Sequence, residues 1–172
     1  MIVRDATQAD AEACAAIYAP YVTGTWVSFE TEPPTAEEMA QRIGRAQDRH
    51  GWLVLEVDGR VTGYAYAQAF ADRAAYRWSC TVSIYLEPQQ HRSGGGRLLY
   101  EALFARLAAR GYRRAMAGMS LPNDASSRFH RALGFQPVGV YRRVGWKNGS
   151  WHDVAWMQKT ILEADDPPAE PR

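Results

Sequence analysis

A run of glycines, Gly94, Gly95 and Gly96, is the part of this sequence best suited to bind an anionic group of a reactant. It stands between an apolar stretch that is typical of a strand and a periodic stretch that is typical of a helix. Glycine lets the backbone approach an anion closely and adopt positive φ. Free amides and the positive end of a helix dipole at such a turn form a cradle for a diphosphate, and Arg92 and Arg97 can add charged hydrogen bonds.

The surroundings of the glycines exclude two common nucleotide motifs. No Gly-Lys-Ser/Thr follows them, so the turn is not a Walker loop. No βαβ unit with a later acidic residue surrounds them, so the turn is not a dinucleotide fingerprint. On these residues alone, a flexible glycine turn before a helix explains the pattern equally well, and both interpretations stay open.

Composition limits the classes of protein to which the chain can belong. Its 172 residues include 20 Lys and Arg against 19 Asp and Glu, without the basic excess typical of nucleic-acid binders. Cys14 and Cys80 stand apart, and no CxxC or HExxH spacing predicts a metal site. No apolar run approaches the ~18 residues of a membrane span, and the acidic N-terminal stretch does not resemble a signal peptide. We expect a cytoplasmic protein without a metal and without nucleic-acid or membrane partners.

The elements around the glycine turn predict an α/β (α+β) fold. Strands are expected at 2–4, 52–57, 60–68, 77–86, 114–119, 135–144 and 151–161, and helices after Thr7, at 35–48, from the glycines to 110, and from Asn123 to 133. Because strands and helices mix without strict alternation, we expect a mixed, mostly antiparallel sheet flanked by helices. Residues 1–162 are expected to form a single domain, and the Pro-rich, charged residues 163–172 a disordered tail.

The loop expected at 23–34 contains Trp26 and Phe29, which are unusual in a solvated loop. We interpret this loop as a segment that covers a site, with satellite core packing as the alternative. Near the C-terminus, His152 and Asp153 have the residue types of a catalytic pair. We expect them instead to be structural, joining strands or subunits.

Two segments together resemble the GCN5-related N-acetyltransferases, the GNAT family. A strand, then His91-Arg92-Ser93-Gly94-Gly95-Gly96, then a helix is similar to the family's acetyl-CoA loop, although the family has Gln or Arg where His91 stands. The stretch from Asn123 to Phe135 resembles its Asn-helix-Gly-Phe segment. The resemblance implies the GNAT acyl-CoA N-acyltransferase fold, with splayed strands at the acetyl-CoA site and acetyl-CoA as co-substrate.

Further segments are similar to the phosphinothricin and methionine sulfoximine acetyltransferases of that family. They are Phe29-Glu-Thr-Glu-Pro33, Trp52-Leu-Val, Ala75-Tyr-Arg-Trp78, Leu121-Pro-Asn-Asp124 and Gly149-Ser-Trp-His-Asp-Val154. The likeness implies a homodimeric N-acetyltransferase in which the amine of a small amino-acid-like molecule attacks acetyl-CoA directly in a ternary complex. Acetylation of a protein N-terminus or of another amine metabolite stays open, as does a non-catalytic acyl-CoA-binding module.

The resemblance also implies which residues hold acetyl-CoA. The backbone of Ile84, Tyr85 and Leu86 is expected to pair with the pantetheine arm like an added strand, and an amide there to polarise the thioester carbonyl. The diphosphate is expected to bind the turn formed by Arg92, Ser93, Gly94, Gly95, Gly96 and Arg97. Asn123 is expected to contact the cofactor through its side chain.

Thr81 and His130 are the candidate catalytic residues. Relatives often carry a glutamate base at position 81, and a threonine cannot accept a proton near neutral pH. We favour proton removal through ordered water and another group such as Glu30; the alternatives are capture of the neutral amine, and reduced or lost activity. His130 stands where many members have a tyrosine acid and is expected to protonate the thiolate or relay the amine proton. Its alternative is a histidine on the helix surface.

Arginines and aromatic residues are expected to recognise the acceptor. Arg73 and Arg77, near Tyr76, precede the cofactor strand, and a guanidinium suits bidentate contact with a carboxylate or phosphinate. Ordinary surface arginines are the alternative. With Phe29 and Glu30 from the covering loop, these residues complete the expected acceptor site.

Overall fold

One sheet with helices on both faces makes up the fold in the computed structural model, which describes residues 1–163 and 168–172. The strands are β1 Ile2–Asp5, β2 Gly51–Val57, β3 Arg60–Ala69, β4 Ser79–Leu86, β5 Arg114–Ser120, β6 Gln136–Lys147 and β7 Ser150–Thr160. The helices are α1 Ala11–Gly24, α2 Ala36–Arg49, α3 Gly95–Ala109 and α4 Asp124–Ala132. The α/β class predicted from the sequence is confirmed.

Strand pairing opens a gap in the middle of the sheet. The strand order is β1-β2-β3-β4-β5-β7-β6, and all neighbours are antiparallel except β4 and β5. This parallel pair keeps register only over Ser79–Thr81 and Arg114–Met116. Beyond Thr81 the two strands separate, so the edge of β4 that faces β5 has no strand partner from Val82 to Leu86. The mostly antiparallel sheet and the splayed strands are both confirmed.

Side chains alternate along the strands between two hydrophobic cores. The core on one face contains Leu55 and Val82 together with residues of α3 and α4. The core on the other face contains Trp52 and Tyr64 together with residues of α1 and α2. Each face of the sheet is therefore covered by a pair of helices.

Register decides which face carries the candidate catalytic position. Trp52 is opposite Tyr66, Tyr66 is opposite Ser83, and Gln68 is opposite Thr81. Directly paired residues point to the same face of a sheet. Thr81 and Ser83 therefore lie on the face of α1 and α2, where the two strands separate.

Element ends differ from the sequence predictions at two strands and one helix face. β4 begins at Ser79 rather than 77, because residues 74–76 form a 3₁₀ turn, and β6 continues to Lys147. The apolar pattern of α4 predicts that Ala125 and Ala132 face inward, but both are exposed. His130 is the buried residue of this helix.

The described part of the C-terminal segment contacts the domain. We predict disorder for 163–172, of which 164–167 lie outside the described residues. Trp78 Nε1 donates to the Ala169 carbonyl at 2.8 Å, and the Arg172 amide donates to the Arg110 carbonyl at 2.9 Å. The indole of Trp78 and the C-terminal end of α3 at Arg110 therefore give this segment hydrogen-bond partners, which its composition does not predict.

Both cysteines are buried free thiols. Burial raises the pKa of Cys14 and of Cys80 to about 12, so both stay protonated near neutral pH. Across the described ranges, no three His, Cys, Asp or Glu residues are grouped as metal ligands. In that same portion of the chain, no helix has the length and apolar character needed to span a membrane.

His50, at the C-terminus of α2, should make stability depend on pH. It is buried against Tyr112, and burial together with Arg110 and Arg49 lowers its pKa from 6.5 to about 4. Between these values the unfolded chain binds a proton that the folded chain does not, so stability falls as the pH decreases through this window. We expect a loss of about 2 kcal/mol in the free energy of unfolding between pH 6.5 and pH 4.

Urea titrations of the wild type and of His50→Gln across this pH range measure the effect. The variant should show a flatter profile, since glutamine does not titrate. Parallel profiles for the two proteins would contradict the assignment to His50.

Candidate active site

The gap between β4 and β5 is the candidate active site. Ala115, Ala117 and Met119 of β5 belong to the core under α3, so Gly118 and Ser120 face the side of α1 and α2. Thr81 and Ser83 border the gap from β4 on that same face. The side chains on this floor are small and neutral, which leaves room for a ligand that enters between the strands. The floor itself offers no carboxylate.

The glycine turn presents three free amides at the start of α3. Arg92 has φ 67° and Gly94 has φ 90°, the left-handed conformation that turns successive amides toward one point. The N–H groups of Arg92, Gly94 and Gly96 have no hydrogen-bond partner among the described residues. No side chain caps the helix at Gly94. These amides and the helix dipole together fit a diphosphate.

Each glycine of the turn has a different reason to be glycine. A Cβ on Gly95 would overlap the Leu55 side chain, and one on Gly96 would lie 3.3 Å from Leu86. A Cβ on Gly94 would meet nothing, so its positive φ is the constraint there. The sequence does not distinguish the three glycines. In the structure, close packing requires glycine at 95 and 96, whereas the backbone conformation requires it at 94.

The expected cofactor strand has the free edge that the resemblance requires. The backbone of Ile84, Tyr85 and Leu86 is paired with β3 on one side and has no strand partner on the other. The Tyr85 ring packs edge-on against Tyr18 and Tyr21, with ring centroids 4.7 and 5.2 Å apart. This packing holds the strand, and the Tyr21 hydroxyl donates to the Leu86 carbonyl at 2.5 Å. Beyond Thr81 no strand of the described chain pairs with the outer edge, so an added chain can lie along it.

The remaining candidate contacts are partly used within the protein. Arg97 donates to Glu101 and to the Ala132 carbonyl, each at 3.3 Å. Asn123 Oδ1 accepts from the Ser126 amide at 3.1 Å as the N-cap of α4. Its amide nitrogen is the part of Asn123 that is left to contact a cofactor.

Glu30 is held by an arginine and is poorly suited to accept a proton. Arg42 donates to both of its carboxylate oxygens at 2.7 and 2.9 Å, and the Tyr18 hydroxyl donates at 3.0 Å. These hydrogen bonds, chiefly those from Arg42, lower the pKa of Glu30. A carboxylate with a lowered pKa is a weak base. The structure therefore weighs against the route through Glu30 that we favour from the sequence.

His130 is buried in α4 and packs against Tyr100 of α3. Its side chain is 5% exposed, which excludes the helix-surface alternative. Nδ1 donates to the Ser126 carbonyl at 2.8 Å, and the Tyr100 hydroxyl lies 3.3 Å from Nε2. Burial lowers the pKa of His130, so Nε2 carries a lone pair near neutral pH. This state suits a relay that first accepts a proton better than a direct acid.

The two expected acceptor arginines differ in their hydrogen-bond partners. Arg77 donates through Nε to the Ala74 carbonyl at 2.8 Å and pairs with Glu170 at 2.9 Å, so its guanidinium is held by the C-terminal segment. The Arg73 side chain is exposed and has no partner among the described residues. Tyr76 packs edge-on against Phe70, with ring centroids 5.5 Å apart.

An aromatic wall beside the gap was missed by the sequence reasoning. A Cβ on Gly118 would lie 3.2 Å from the Trp156 ring, so this ring covers the glycine from β7. Phe70 packs edge-on against Trp156 at 6.5 Å and continues the wall to Tyr76. The strand register brings these rings together, and no local sequence pattern predicts their contact.

Lys147 fastens the covering loop, and it too was missed. Its ammonium donates to the carbonyls of Val22, Ser28 and Glu30 at 2.6, 2.6 and 2.7 Å. Because these three bonds use all three of its protons, the buried charge is fully satisfied. Burial of the ammonium lowers its pKa. The end of α1 and the loop are thereby attached to β6.

Aromatic contacts hold the same loop against the last two strands. Trp26 stacks on His152 with ring centroids 5.5 Å apart, and the Phe29 ring covers Gly145. Asp153 binds the Arg142 guanidinium and the Arg143 amide at a bulge in β6. These contacts agree with the structural roles expected of His152 and Asp153.

Removing the ammonium of Lys147 should loosen the loop and weaken acceptor binding. Lys147→Met leaves three buried carbonyls without a donor, which we expect to cost about 2 to 4 kcal/mol in the free energy of unfolding. Lys159→Met is the matched control because Lys159 donates to one carbonyl, that of Leu133. Urea titration measures stability, and limited proteolysis measures cleavage within residues 25–34. Equal effects of the two substitutions would contradict the role of Lys147.

Comparison with known proteins gives consistent matches over nearly the whole chain. A family model described as an acetyltransferase (GNAT) domain matches residues 3–156. A phosphinothricin N-acetyltransferase of Streptomyces viridochromogenes is 40% identical over 170 residues, covering 99% of this chain and 91% of the relative. An L-methionine sulfoximine/L-methionine sulfone acetyltransferase of Pseudomonas aeruginosa is 34% identical over 161 residues, covering 92% and 94%.

A solved structure is similar over the same length. It is a GNAT superfamily phosphinothricin acetyltransferase from Sinorhizobium meliloti in complex with AcCoA, with a TM-score of 0.91 and 36% identity. The match covers 99% of this chain and 92% of that one.

Proposed function

This chain belongs to the GNAT family of acetyltransferases, and from that premise we propose that it acetylates the amine of a small amino acid of the phosphinothricin or methionine sulfoximine type. It is an acetyl-CoA-dependent acetyltransferase. The observation that carries the proposal is the free edge of β4 beside the three free amides of the glycine turn. Together they offer one continuous site for a pantetheine arm and a diphosphate.

The proposed reaction needs binding and orientation more than acid–base groups. Acetyl-CoA supplies an acetyl group activated as a thioester; the amine nitrogen forms a C–N bond as the C–S bond breaks. The free edge of β4 holds acetyl-CoA, and the aromatic wall holds the amine beside it. The reaction between them thereby becomes effectively unimolecular. A backbone amide of Ile84 or Leu86, which face the outer edge of β4, stabilises the carbonyl oxygen as it gains negative charge.

The amine proton is proposed to leave through water. Thr81 has no basic group, and Glu30 is bound to Arg42. The neutral amine therefore attacks, and its proton passes to solvent or to the lone pair of His130. The thiolate regains a proton from the same water or relay, so no proton is created or lost.

The covering loop and the segment before β4 are proposed to enclose the acceptor. Phe29 of the loop and the aromatic wall of Tyr76, Phe70 and Trp156 exclude water, and Glu30 is held at the edge of the site by Arg42. Arg73 is the exposed cation available to the acceptor's carboxylate, with Arg77 available when the C-terminal segment releases it.

A release assay for free CoA thiol over a panel of amines tests the function. Phosphinothricin, methionine sulfoximine and methionine sulfone should give turnover, whereas a peptide with a free N-terminus should give little. Binding of acetyl-CoA without turnover of any amine would show a non-catalytic acyl-CoA-binding module instead. Preferred acetylation of the peptide would overturn the small-substrate assignment.

A homodimer through β6 is proposed as the assembled form. β6 is an edge strand of the sheet, and the described chain exposes large apolar residues along it. They are Val138, Val140, Tyr141, Val144 and Trp146, with Trp151 on the neighbouring strand. Such a patch on an open edge favours association with a second copy.

Two charges on this patch should separate the subunits. Val138→Glu/Tyr141→Glu places carboxylates at positions that are 63% and 62% exposed in the single chain, and we expect it to raise the dimer dissociation constant more than about 100-fold. Light scattering after gel filtration should give about twice 19.3 kDa for the wild type and 19.3 kDa for the variant. Ile2→Glu, exposed on the opposite edge strand, is the control. A monomeric wild type would refute the proposal.

A cytoplasmic location completes the proposal. The two buried thiols are free, which suits a reducing compartment. Acetyl-CoA as co-substrate agrees with the same compartment.

A further inference from the structure

Tyr21, near the C-terminal end of α1, binds the edge of β4 at the point where that strand ends. Its hydroxyl donates to the Leu86 carbonyl at 2.5 Å and lies 3.2 Å from His91 Nε2. Its ring packs edge-on against Tyr85, with ring centroids 5.2 Å apart. One side chain of α1 therefore contacts both the last residue of β4 and the loop that leads into the glycine turn.

The directions of the backbone groups along β4 show what this hydrogen bond removes from the free edge. The Glu87 amide donates to the Thr62 carbonyl at 2.9 Å, so the backbone at Glu87 points toward β3. Because the direction alternates from residue to residue, Leu86 and Ile84 point to the outer edge. Tyr21 takes up the Leu86 carbonyl. The Leu86 amide and both backbone groups of Ile84 are left for an added chain.

The capped carbonyl restricts how far along the edge a pantetheine arm can pair. The two amides of the arm then use the Leu86 amide and the Ile84 carbonyl, which leaves the Ile84 amide for the thioester carbonyl. With the Leu86 carbonyl open, the arm could pair two residues nearer the turn. The thioester would then lie about 7 Å farther from Thr81, the length of two strand residues. A cap at Leu86 excludes this second register.

His91 orients the Tyr21 hydroxyl toward β4. A tyrosine hydroxyl has one proton, and Tyr21 donates it to the Leu86 carbonyl. His91 Nε2 is therefore the donor of the second contact, and the hydroxyl oxygen is its acceptor. The Gln or Arg that other GNAT members carry at this position also ends in an N–H donor. The departure at His91 thus keeps the one property that this contact requires.

The neighbours of Tyr21 in α1 hold it in place. Thr25 Oγ1 donates to the Tyr21 carbonyl at 2.7 Å. The next residue, Val22, is buried, and its carbonyl accepts from the Lys147 ammonium at 2.6 Å. A side chain on a helix that is fixed in this way can place its hydroxyl accurately.

We propose that Tyr21, oriented by His91, is a positioning residue that sets the depth at which acetyl-CoA lies in the reaction gap. By capping the Leu86 carbonyl it makes the Ile84 amide the group that polarises the thioester. The proposal rests on the proposed function for the use of acetyl-CoA, and it holds for any acceptor amine. Tyr21 contacts neither the thioester nor the amine and acts through the backbone of β4.

Tyr21→Phe tests the proposal because it removes the hydroxyl and keeps the ring. We expect kcat to fall about 10- to 30-fold, since a misplaced thioester reacts slowly. The dissociation constant for acetyl-CoA, measured by calorimetry, should stay within about threefold, because the freed carbonyl offers the arm a substitute partner. Tyr112→Phe is the matched control: its hydroxyl also donates to a backbone carbonyl, that of Arg49 at 3.2 Å. Equal losses of kcat in the two variants would overturn the proposal.

Substitutions of His91 separate positioning from simple packing. His91→Leu should lower kcat about 3- to 10-fold, and His91→Gln should restore most of this loss because it returns an N–H donor. In the Tyr21→Phe background, His91→Leu should have little further effect, since both residues act on one hydrogen bond. Additive losses, or a His91→Gln variant as slow as His91→Leu, would contradict the pair.

Infrared spectra of bound acetyl-CoA measure the position of the thioester without an acceptor. With an isotope label at the thioester carbonyl, its stretching band should differ between the wild type and Tyr21→Phe, since a different amide contacts the oxygen. Such a difference without turnover of any amine would support the positioning role and overturn the proposed function. Turnover of the amino acids, with the same band in both proteins, would overturn the positioning role and support the proposed function.

Discussion

Thr81→Glu is expected to raise kcat/KM about 10- to 100-fold at pH 7, because general-base help is typically worth that much or more. Position 81 faces the reaction gap at the point where β4 leaves β5. No carboxylate stands on this floor, and the carboxylate of the candidate Glu30 is bound to Arg42. A glutamate at 81, partly desolvated by the acceptor, gains a pKa closer to neutral and becomes a useful base.

The pH profile gives this prediction a distinct signature. Without an enzyme base, kcat/KM of the wild type should rise about tenfold per pH unit up to the pKa of the acceptor amine. In Thr81→Glu the profile should rise through the glutamate pKa and then level off. Fixed-time assays of the release of free CoA thiol, run from about pH 5.5 to about 9.5, measure both profiles.

Thr81→Val is the control for a change of side chain without a base. It should stay within about threefold of the wild type, since the hydroxyl does not accept the proton. A collapse in His130→Ala alongside a normal Thr81→Val would place the proton relay at His130. A wild-type plateau below pH 7, or no gain in Thr81→Glu, would refute capture of the neutral amine.

Gly94→Val is expected to raise the dissociation constant for acetyl-CoA about 10- to 100-fold, a loss of about 1.4 to 2.8 kcal/mol of binding. Gly94 has φ 90°, which a β-branched residue avoids. The substitution therefore turns the free amides of the turn away from their common point. No packing is lost, because a Cβ at this position meets nothing.

Gly94→Asn is the matched control, since asparagine tolerates the left-handed conformation. It should bind acetyl-CoA within about threefold of the wild type. Calorimetric titration with acetyl-CoA and with CoA measures both variants, and kcat at saturating acetyl-CoA should change little. Equal binding by the wild type and Gly94→Val would show that the turn does not hold the diphosphate.

Local patterns were enough to locate most elements and the glycine turn. Asp58-Gly59 and Asn148-Gly149 predict hairpin turns, and all four residues have positive φ in the structure. The Thr35-Ala-Glu-Glu38 sequence predicts a capping box, which is present at the start of α2. Such signals are readable because they join residues close together in the chain, where backbone sterics and hydrogen-bond geometry leave few choices.

The chemical character of the site was decided by contacts between distant residues. Lys147 donates to the carbonyl of Val22, Arg42 binds Glu30, and Trp156 covers Gly118. The periodicity of the sequence predicts none of these contacts. Even the reaction gap depends on a parallel pair that ends after three residues on each strand. Periodicity tells which face of an element is buried, but strand order and register choose its partners. Those partners determine whether a carboxylate is a base or half of an ion pair, and whether a histidine is exposed or buried.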